Sequence, residues 1–334
     1  MMIPIFGTVI YLVFGRVRIT KQDKLRMAQI QEKEKHANTT TVVPVEIEDG
    51  NHDAIIQSKY LSQFGEGALF KRTTSEYFPL GEQAYKAMLE ELEKAEKYIF
   101  MDHFIVEEGQ MWDGILDVLK RKAAAGVDVR FLYDDFGCLT TLPTKYFKEL
   151  EAMGIKSCVF NPFVPVLSPV FNNRNHRKIT VIDGKVAFTG GINLADEYIN
   201  EHERFGHWKD NAIMFRGDAA WGFTLIFLSL WEFVYGGDDN FDDFYPEFVE
   251  EDLPNSHGYY QPYVDSPFDQ ETVGMNVYLN LINRAKDYVY ITTPYLIIDN
   301  LLMEALCTAA KGGVDVRLIV PHIPDKVYVH AVTK

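Results

Sequence analysis

The first 15 residues are apolar or uncharged, and charged residues begin at Arg16. As a helix, this stretch would span roughly 22 Å, short of the roughly 30 Å of a bilayer's hydrocarbon core. Its positive charges follow the apolar run, whereas those of a secretory signal precede it. The pattern predicts that residues 1–16 are a partial transmembrane anchor whose following segment stays in the cytoplasm. A buried N-terminal helix or strand is the alternative.

Residues 17–57 are mostly polar and charged, with a helical pattern near residues 21–35 followed by a turn-rich acidic stretch. We interpret them as a basic and polar linker. Two alternatives stay open for the helix: it lies on anionic lipid, or it stands in solvent.

Two stretches, 94–133 and 284–320, share one hydrophobic pattern. Each predicts an amphipathic helix, an apolar strand, a loop, a helix, and a second apolar strand that opens with Gly-Val-Asp-Val-Arg. Strand–helix–strand units of this length are typical of α/β folds with parallel strands. The shared pentapeptide, at 126–130 and 313–317, indicates an internal duplication rather than two unrelated units.

A hairpin is predicted between the two stretches. Residues 176–182 read as a strand, Asp183 and Gly184 as a turn, and residues 185–189 as the return strand. Period-two alternation places His176, Lys178 and Thr180 on one face of the first strand.

This hairpin carries the pattern His176-x-Lys178-x4-Asp183, followed by Gly190-Gly191-x-Asn193. An imidazole beside an ammonium suits a phosphate, because one group can attack or protonate while the other neutralises charge. Glycines 190 and 191 would allow main chain to approach a ligand. Asn193 would cap a helix starting at Leu194 or donate its amide to a phosphate oxygen.

Beyond the hairpin, residues 219–235 form an apolar helix candidate that includes Glu232, and a buried core helix is favoured over a membrane span. His202, His207 and Asp210 are candidates to line a pocket near the motif, although structural or surface roles are the more ordinary interpretation. The apolar, proline-rich loop at 162–171 would suit acyl chains if it is exposed at the site.

Composition narrows the class of protein. The 334 residues carry a formal net charge of −15, which argues against a non-specific nucleic-acid binder. Residues 1–36 nevertheless hold seven basic and three acidic groups, a net of +4 on the predicted membrane side. The three cysteines are too few for a disulfide framework and have no zinc-ligand spacing, so a reducing compartment is expected.

With the motif in place, the sequence resembles the phospholipase D superfamily and, within it, the bacterial cardiolipin synthases. The resemblance is specific in NRNHRKITVIDGKVAFTGGINLADEY at 173–198, and extends to AAGVDVRFLYDDFG at 124–137 and HWKDNAIMFRGDAAWGFTLIFLSLWEF at 207–233. It implies an α/β fold of two phospholipase D-like repeats, each a mixed β-sheet flanked by helices, after an N-terminal transmembrane segment. The expected domains are a first repeat at 58–235, an acidic connector at 236–265, and the start of a second repeat at 266–334.

The resemblance also implies roles for individual residues. His176 matches the histidine that forms or protonates a phosphatidyl-histidine intermediate, and Lys178 and Asn193 match the phosphate-binding pair. Asp183 matches an aspartate that supports the motif, either through a histidine or by fixing the turn. Glu197 matches an acid that orients the histidine, and Gly190 and Gly191 are supporting positions. No metal or other cofactor is implied.

A partner motif is expected in addition. The two repeats are offset by 187 residues, so the counterpart of His176 is expected near position 363, beyond Lys334. We therefore expect a chain truncated at both ends, whose second HxKx4D motif comes from further C-terminal residues or from another chain.

The implied reaction is phosphatidyl transfer between two phosphatidylglycerol molecules, giving cardiolipin and glycerol at the cytoplasmic face of a bacterial cell membrane. The implied partners are phosphatidylglycerol and anionic membrane lipid, with no nucleic acid. The alternatives are another phospholipase D-type phosphatidyltransferase or phospholipase, a single-motif homodimeric phosphodiesterase such as a nuclease, and a non-catalytic scaffold or inactive fragment.

Overall fold

The computed structural model describes residues 19–41, 45–47, 51–163, 173–248, 258–268 and 271–323. The helices in these ranges are α1 (Lys21–Thr41), α2 (His52–Phe64), α3 (Gly81–Leu92), α4 (Gln110–Ala124), α5 (Tyr146–Ala152), α6 (Ala219–Tyr235), α7 (Val273–Arg284) and α8 (Asn300–Lys311). The strands are β1 (Thr73–Phe78), β2 (Tyr98–His103), β3 (Asp128–Asp134), β4 (Lys156–Phe160), β5 (Lys178–Ile182), β6 (Val186–Gly190), β7 (Ala212–Gly217), β8 (Tyr288–Thr292) and β9 (Asp315–Ile319).

Strands β1 to β7 form one mixed sheet in the order β1-β7-β6-β5-β2-β3-β4. Strands β2, β3 and β4 are parallel neighbours, because α4 and α5 carry the chain back between them. Strand β5 runs antiparallel to β2, and β6, β7 and β1 extend the antiparallel half. The predicted mixed α/β sheet is confirmed, and the predicted hairpin joins β5 to β6.

Helices cover both faces of this sheet. On one face, α3, α4 and α5 pack on alternate strand residues such as Ile99 and Met101. On the other face, α6 packs on the intervening residues, such as Phe100 and Val181. Most of α6 is buried, as are Trp221, Phe227 and Trp231, so the predicted core helix is confirmed.

Helix α1 differs from both sequence-based alternatives, because it packs on α6. Its side chains Met27, Ile30 and Ala37 are buried, three or seven residues apart on one face of the helix. Lys33 pairs with the Glu232 carboxylate of α6 at 2.7 Å. The many charges of α1 obscure this narrow apolar stripe in the sequence, and part of the predicted linker therefore belongs to the folded body.

The acidic connector also contributes to this body. Phe241 is buried, at the start of a short 3-10 helix, Phe241–Phe244. Asp239 pairs with the guanidinium of Arg130 on β3.

The two duplicated stretches fold alike. Strand β8 pairs with β9 in parallel, and Tyr288 faces Asp315 as Tyr98 faces Asp128 in the first repeat. In each copy the aspartate of Gly-Val-Asp-Val-Arg accepts a hydrogen bond from the arginine two residues later. Within the described ranges, β8 and β9 form a sheet of two strands, with α7 and α8 packed against each other beside it.

Among the described residues, no helix is both long enough and apolar enough to span a membrane. The anchor predicted at residues 1–16 lies outside those ranges, as does most of the apolar loop at 162–171.

Candidate active site

His176 stands two residues before the start of β5 rather than within the strand. The strand begins at Lys178, so the predicted strand 176–182 is two residues shorter at its start. The His176 side chain is exposed, and its ring lies against the ring of Phe104, with 4.6 Å between the two centroids. The segment after β2 and the segment before β5 therefore present this imidazole to solvent at one end of the sheet.

Lys178 is buried beside His176. Its Nζ donates to the main-chain oxygen of His176 at 2.9 Å and lies 3.4 Å from both ring nitrogens. Burial lowers the pKa of Lys178 to about 8, although the negative charges of Asp210 and Asp102 oppose the shift. The ammonium is therefore held in a poorly solvated position where an anion would be its natural partner.

Asn193 is buried between two other segments. Its Oδ1 accepts from the main-chain N–H of Ile105 at 3.2 Å, and its Nδ2 donates to the Tyr198 hydroxyl at 2.7 Å. The expected α-helix from Leu194 is wrong, because the chain forms only a 3-10 helix, Asp196–Ile199. The amide of Asn193 therefore serves tertiary contacts instead of a helix cap.

Glycines 190 and 191 make room for protein atoms. A Cβ on Gly190 would lie 2.4 Å from the main-chain oxygen of Asn211, and one on Gly191 would lie 2.1 Å from Oδ1 of Asp210. We expected glycine at these positions so that a ligand could approach the main chain. In the structure, glycine is needed because the segment leading into β7 passes close to the motif. This brings the Asp210 carboxylate, whose pKa is raised by burial, close enough to influence Lys178.

Asp183 lies at the other end of β5, roughly 16 Å of extended chain from Lys178. Its carboxylate accepts hydrogen bonds from the main-chain N–H groups of residues 96–98, at 2.7–2.8 Å. Both Asp183 and Gly184 have positive φ, as this tight turn requires. Of the two roles considered for Asp183, the geometry corresponds to fixing the turn, and the carboxylate does not reach the reacting end of the strand.

Glu197 and Asp196 have separate contacts. The carboxylate of Glu197 accepts from Arg204 at 3.0 Å, and an orienting contact from Glu197 to His176 stays a prediction. Asp196 accepts from the first two main-chain N–H groups of α4, at 3.0 and 2.8 Å, and so caps that helix. His202 and His207 are both exposed, and His207 lies 3.6 Å from a carboxylate oxygen of Glu82.

The sequence analysis did not identify a set of buried polar residues that lie beneath the motif. Asp102 and Asp134 are fully buried at the carboxyl ends of the parallel strands β2 and β3. His103 is also buried, which lowers its pKa to about 3, and its Nε2 lies 3.1 Å from the Thr180 hydroxyl. Their positions at the ends of predicted parallel strands could have indicated them, since polar residues that end neighbouring parallel strands meet at one edge of the sheet.

The arrangement is suited to attack on a phosphodiester. An exposed imidazole can reach a phosphorus atom, while the adjacent ammonium can neutralise the charge that develops on the phosphoryl oxygens. In the described part of the chain, no group of three or more His, Cys, Asp or Glu side chains is arranged to hold a metal ion.

Comparison with known proteins shows which family the sequence belongs to. Residues 88–213 and 278–333 match the family described as "Cardiolipin synthase, PLD-like domain", and the match takes in more than half of the chain. The chain belongs to this family. The matched residues include His176, Lys178 and Asn193.

Individual relatives agree with the family match. The chain is 31% identical to a cardiolipin synthase of Listeria welshimeri, over 99% of the chain and 70% of that protein. It is 38% identical to a cardiolipin synthase of Geobacillus thermodenitrificans, over 74% of the chain and 49% of that protein. An uncharacterized protein of Streptococcus mutans is 49% identical, over 83% of the chain and 59% of that protein. The chain thus spans about half to two thirds of the length of most of these relatives.

A solved structure supports the fold. The phosphatidylserine synthase of Haemophilus influenzae superimposes with a TM-score of 0.52 at 14% identity, over 79% of this chain and 66% of that one. At this identity the likeness supports the fold alone.

Proposed function

We propose that this chain carries a reacting half-site of a phosphatidyltransferase that converts two phosphatidylglycerol molecules into cardiolipin and glycerol. The observation that carries the proposal is the exposed His176 imidazole with the Lys178 ammonium 3.4 Å from its ring nitrogens, in a chain of the cardiolipin synthase family.

In the proposed reaction, a ring nitrogen of His176 attacks the phosphorus of the first lipid, and the bond to glycerol breaks. A proton must reach the departing glycerol oxygen, and the histidine of a second HxKx4D motif would supply it. The hydroxyl of the second phosphatidylglycerol then attacks the phosphohistidine and gives its proton to the second motif's histidine, which releases His176 and forms cardiolipin. Lys178 would bind the phosphoryl oxygens throughout, together with the N–H of the Asn193 amide that does not donate to Tyr198.

The second motif would come from further residues of the same polypeptide or from another copy of the chain. The proposed location is the cytoplasmic face of a bacterial membrane, where both substrates are found together. The exposed basic side chains of α1, such as Lys21 and Lys24, would face anionic lipid.

The decisive experiment follows labelled phosphatidylglycerol in vesicles. We expect cardiolipin and free glycerol in equal amounts, together with an acid-labile phosphoryl adduct on His176 that can be trapped with a short-chain lipid. The variant His176→Ala should abolish the adduct, whereas His202→Ala, an exposed histidine outside the motif, should retain it.

Other products would indicate other activities that use the same reacting histidine. Phosphatidic acid alone would identify a phospholipase, and cleavage of DNA that depends on His176 would identify a nuclease. Both results would contradict the proposed transfer.

A further inference from the structure

The direction of the His176 side chain depends on the main chain around it. His176 is exposed and precedes the first residue of β5, so the ladder of the sheet does not hold it. A displacement of about 1 Å in a reacting group can lower a rate about 100-fold. The segment must therefore be anchored by other contacts.

Asn175, the residue before it, is anchored twice. Its side-chain Nδ2 donates to Oδ1 of Asp102, and its main-chain N–H donates to Oδ2 of Asp134 at 3.0 Å. Both aspartates are fully buried, and Asn175 itself is only 5% exposed. On the other side, Lys178 holds the main-chain oxygen of His176. The main chain of the reacting histidine is therefore fixed from both sides.

The two aspartates differ in how many hydrogen bonds their carboxylate oxygens accept. Asp134 also accepts from the main-chain N–H of Gly137 at 3.0 Å and pairs with Arg174 at 3.3 Å. Asp102 bonds Asn175 through one oxygen, while its other oxygen, Oδ2, has no hydrogen-bond partner among the described residues. Burying a partly satisfied carboxylate is costly, and replacing such polar pairs by apolar side chains is often neutral or stabilising. Apart from the favourable charge interaction of Asp102 with Arg177 and Lys178, stability of the fold is therefore a poor reason for this carboxylate, and its contact with Asn175 is the better one.

We propose that Asp102 is a positioning residue that orients His176 through the side-chain amide of Asn175. The proposal rests on His176 being the reacting group of the function proposed above. Asp102 does not touch the substrate, so loss of its contact with Asn175 should lower the rate of the chemical step, separately from the effect of its charge on the pKa of Lys178.

The test exchanges the two partners in the full chain. In Asn175→Asp, two carboxyl groups face each other and repel when both are ionised. At pH 8, above the pKa of about 7 that burial gives Asp102, we expect kcat to fall about 30-fold or more with KM changed less than about twofold. In the swapped variant Asp102→Asn/Asn175→Asp, an amide again donates to a carboxylate, and kcat should recover to within about fivefold of wild type. The control Asn173→Ala lies in the same loop, where Asn173 contributes its main-chain oxygen, and it should retain wild-type kcat.

A second variant covers the case in which Asn175→Asp does not fold. Asn175→Ala removes the donor while keeping the charge of Asp102 beside Arg177 and Lys178, so it should fold, as its melting curve would show, and still show the about 30-fold loss of kcat. Wild-type kcat in this variant would overturn the proposal. A swapped variant no faster than Asn175→Asp would overturn it as well.

Two readouts separate this inference from the proposed function. Turnover is measured on bis(p-nitrophenyl) phosphate and on phosphatidylglycerol, so hydrolysis of the first without transfer on the second contradicts the proposed function alone. The rate at which diethyl pyrocarbonate modifies His176, followed by mass spectrometry, needs no substrate. It should change at least about threefold in Asn175→Asp and return in the swapped variant, and an unchanged rate in all variants would overturn the positioning role.

Discussion

At the scale of single residues, the site depends on a contrast between an exposed imidazole and a buried ammonium. His176 meets solvent, whereas Lys178 is 6% exposed and loses much of its hydration. Asp210 and Asp102 limit the resulting fall in the pKa of Lys178. A phosphate that enters the site would restore the lost electrostatic stabilisation of the ammonium, which favours binding of the anion.

This contrast predicts the alkaline limb of the pH profile. The pKa of Lys178 in the free protein is lowered to about 8, so its ammonium is present below that pH and is lost above it. We expect kcat/KM to fall as the pH rises through about 8, and Lys178→Arg to move this limb upward because arginine stays charged.

The control for this prediction is Lys185→Arg, in the turn at the far end of the hairpin, which should leave the profile unchanged. Steady-state kinetics between pH 6 and pH 10 on bis(p-nitrophenyl) phosphate would measure all three proteins. The same limb in wild type and Lys178→Arg would show that another group titrates.

At the scale of elements, two contacts connect parts of the chain that are far apart in sequence. The turn between β5 and β6 is attached to the start of β2 by the Asp183 carboxylate. Helix α1 is attached to α6 by buried apolar residues and by Glu34, which accepts from the Ser229 hydroxyl at 2.5 Å. Each contact can be tested by its effect on stability.

Replacing Asp183 should affect stability rather than chemistry. Asp183→Ala removes acceptors for three main-chain N–H groups, and we expect the free energy of unfolding to fall by about 2–4 kcal/mol. Asp183→Asn keeps one acceptor oxygen and tolerates the positive φ, so it should lose about half as much. Urea unfolding would measure both, with His176→Ala as the exposed control. Wild-type stability of Asp183→Ala with lost turnover would instead indicate a direct catalytic role.

The contact of Glu34 should make stability depend on pH. Burial raises its pKa to about 7 from an ordinary value near 4.5, so the folded state keeps a proton that the unfolded state has released. The stabilising contribution of Glu34 to the free energy of unfolding is therefore fully present below pH 4.5 and is lost as the pH rises through about 7.

Glu34→Gln removes this dependence. We expect the variant to exceed wild type by up to about 3 kcal/mol at pH 8 and to match it near pH 4.5. The exposed Glu32→Gln on the same helix is the matched control, and urea unfolding at the two pH values is the measurement. Equal stabilities at pH 8 would contradict the prediction.

At the scale of the whole molecule, the two repeats differ in burial although they share a pattern. Every residue of β2 is buried, because helices cover both faces of the large sheet. In β8, exposed and partly buried positions alternate, and in β9 every residue except Val316 is exposed; Tyr288 and Ile319 are 64% and 57% exposed. Among the described residues, the first copy of the duplicated pattern is therefore better buried than the second.

This difference predicts unequal local stability. Because unfolding of β8 and β9 exposes less apolar surface in a protein of these 334 residues, their main-chain amides should exchange with solvent at least about 100-fold faster than those of β2 and β3. Hydrogen exchange followed by mass spectrometry of peptides from 98–103 and 288–292 would measure it. Equal protection of the two peptides would show that the units unfold together.

The sequence determined the features that depend on local periodicity and on short motifs. The duplicated strand–helix–strand units, the hairpin after His176 and the buried helix at 219–235 follow from hydrophobic patterns, which each segment carries by itself. The pairing of His176 with Lys178 also follows, since residues two apart share a face of an extended chain.

Tertiary structure decided the contacts between distant segments. It placed Asp102 beside Asn175, Asp183 beside residues 96–98, Asp210 against Gly191, and α1 on α6. A local pattern cannot specify such contacts, because each depends on the order of strands in the sheet and on which side chains then meet. The sequence thus determined which groups are available for the chemistry, and the fold decided which of them reach the site and which support it.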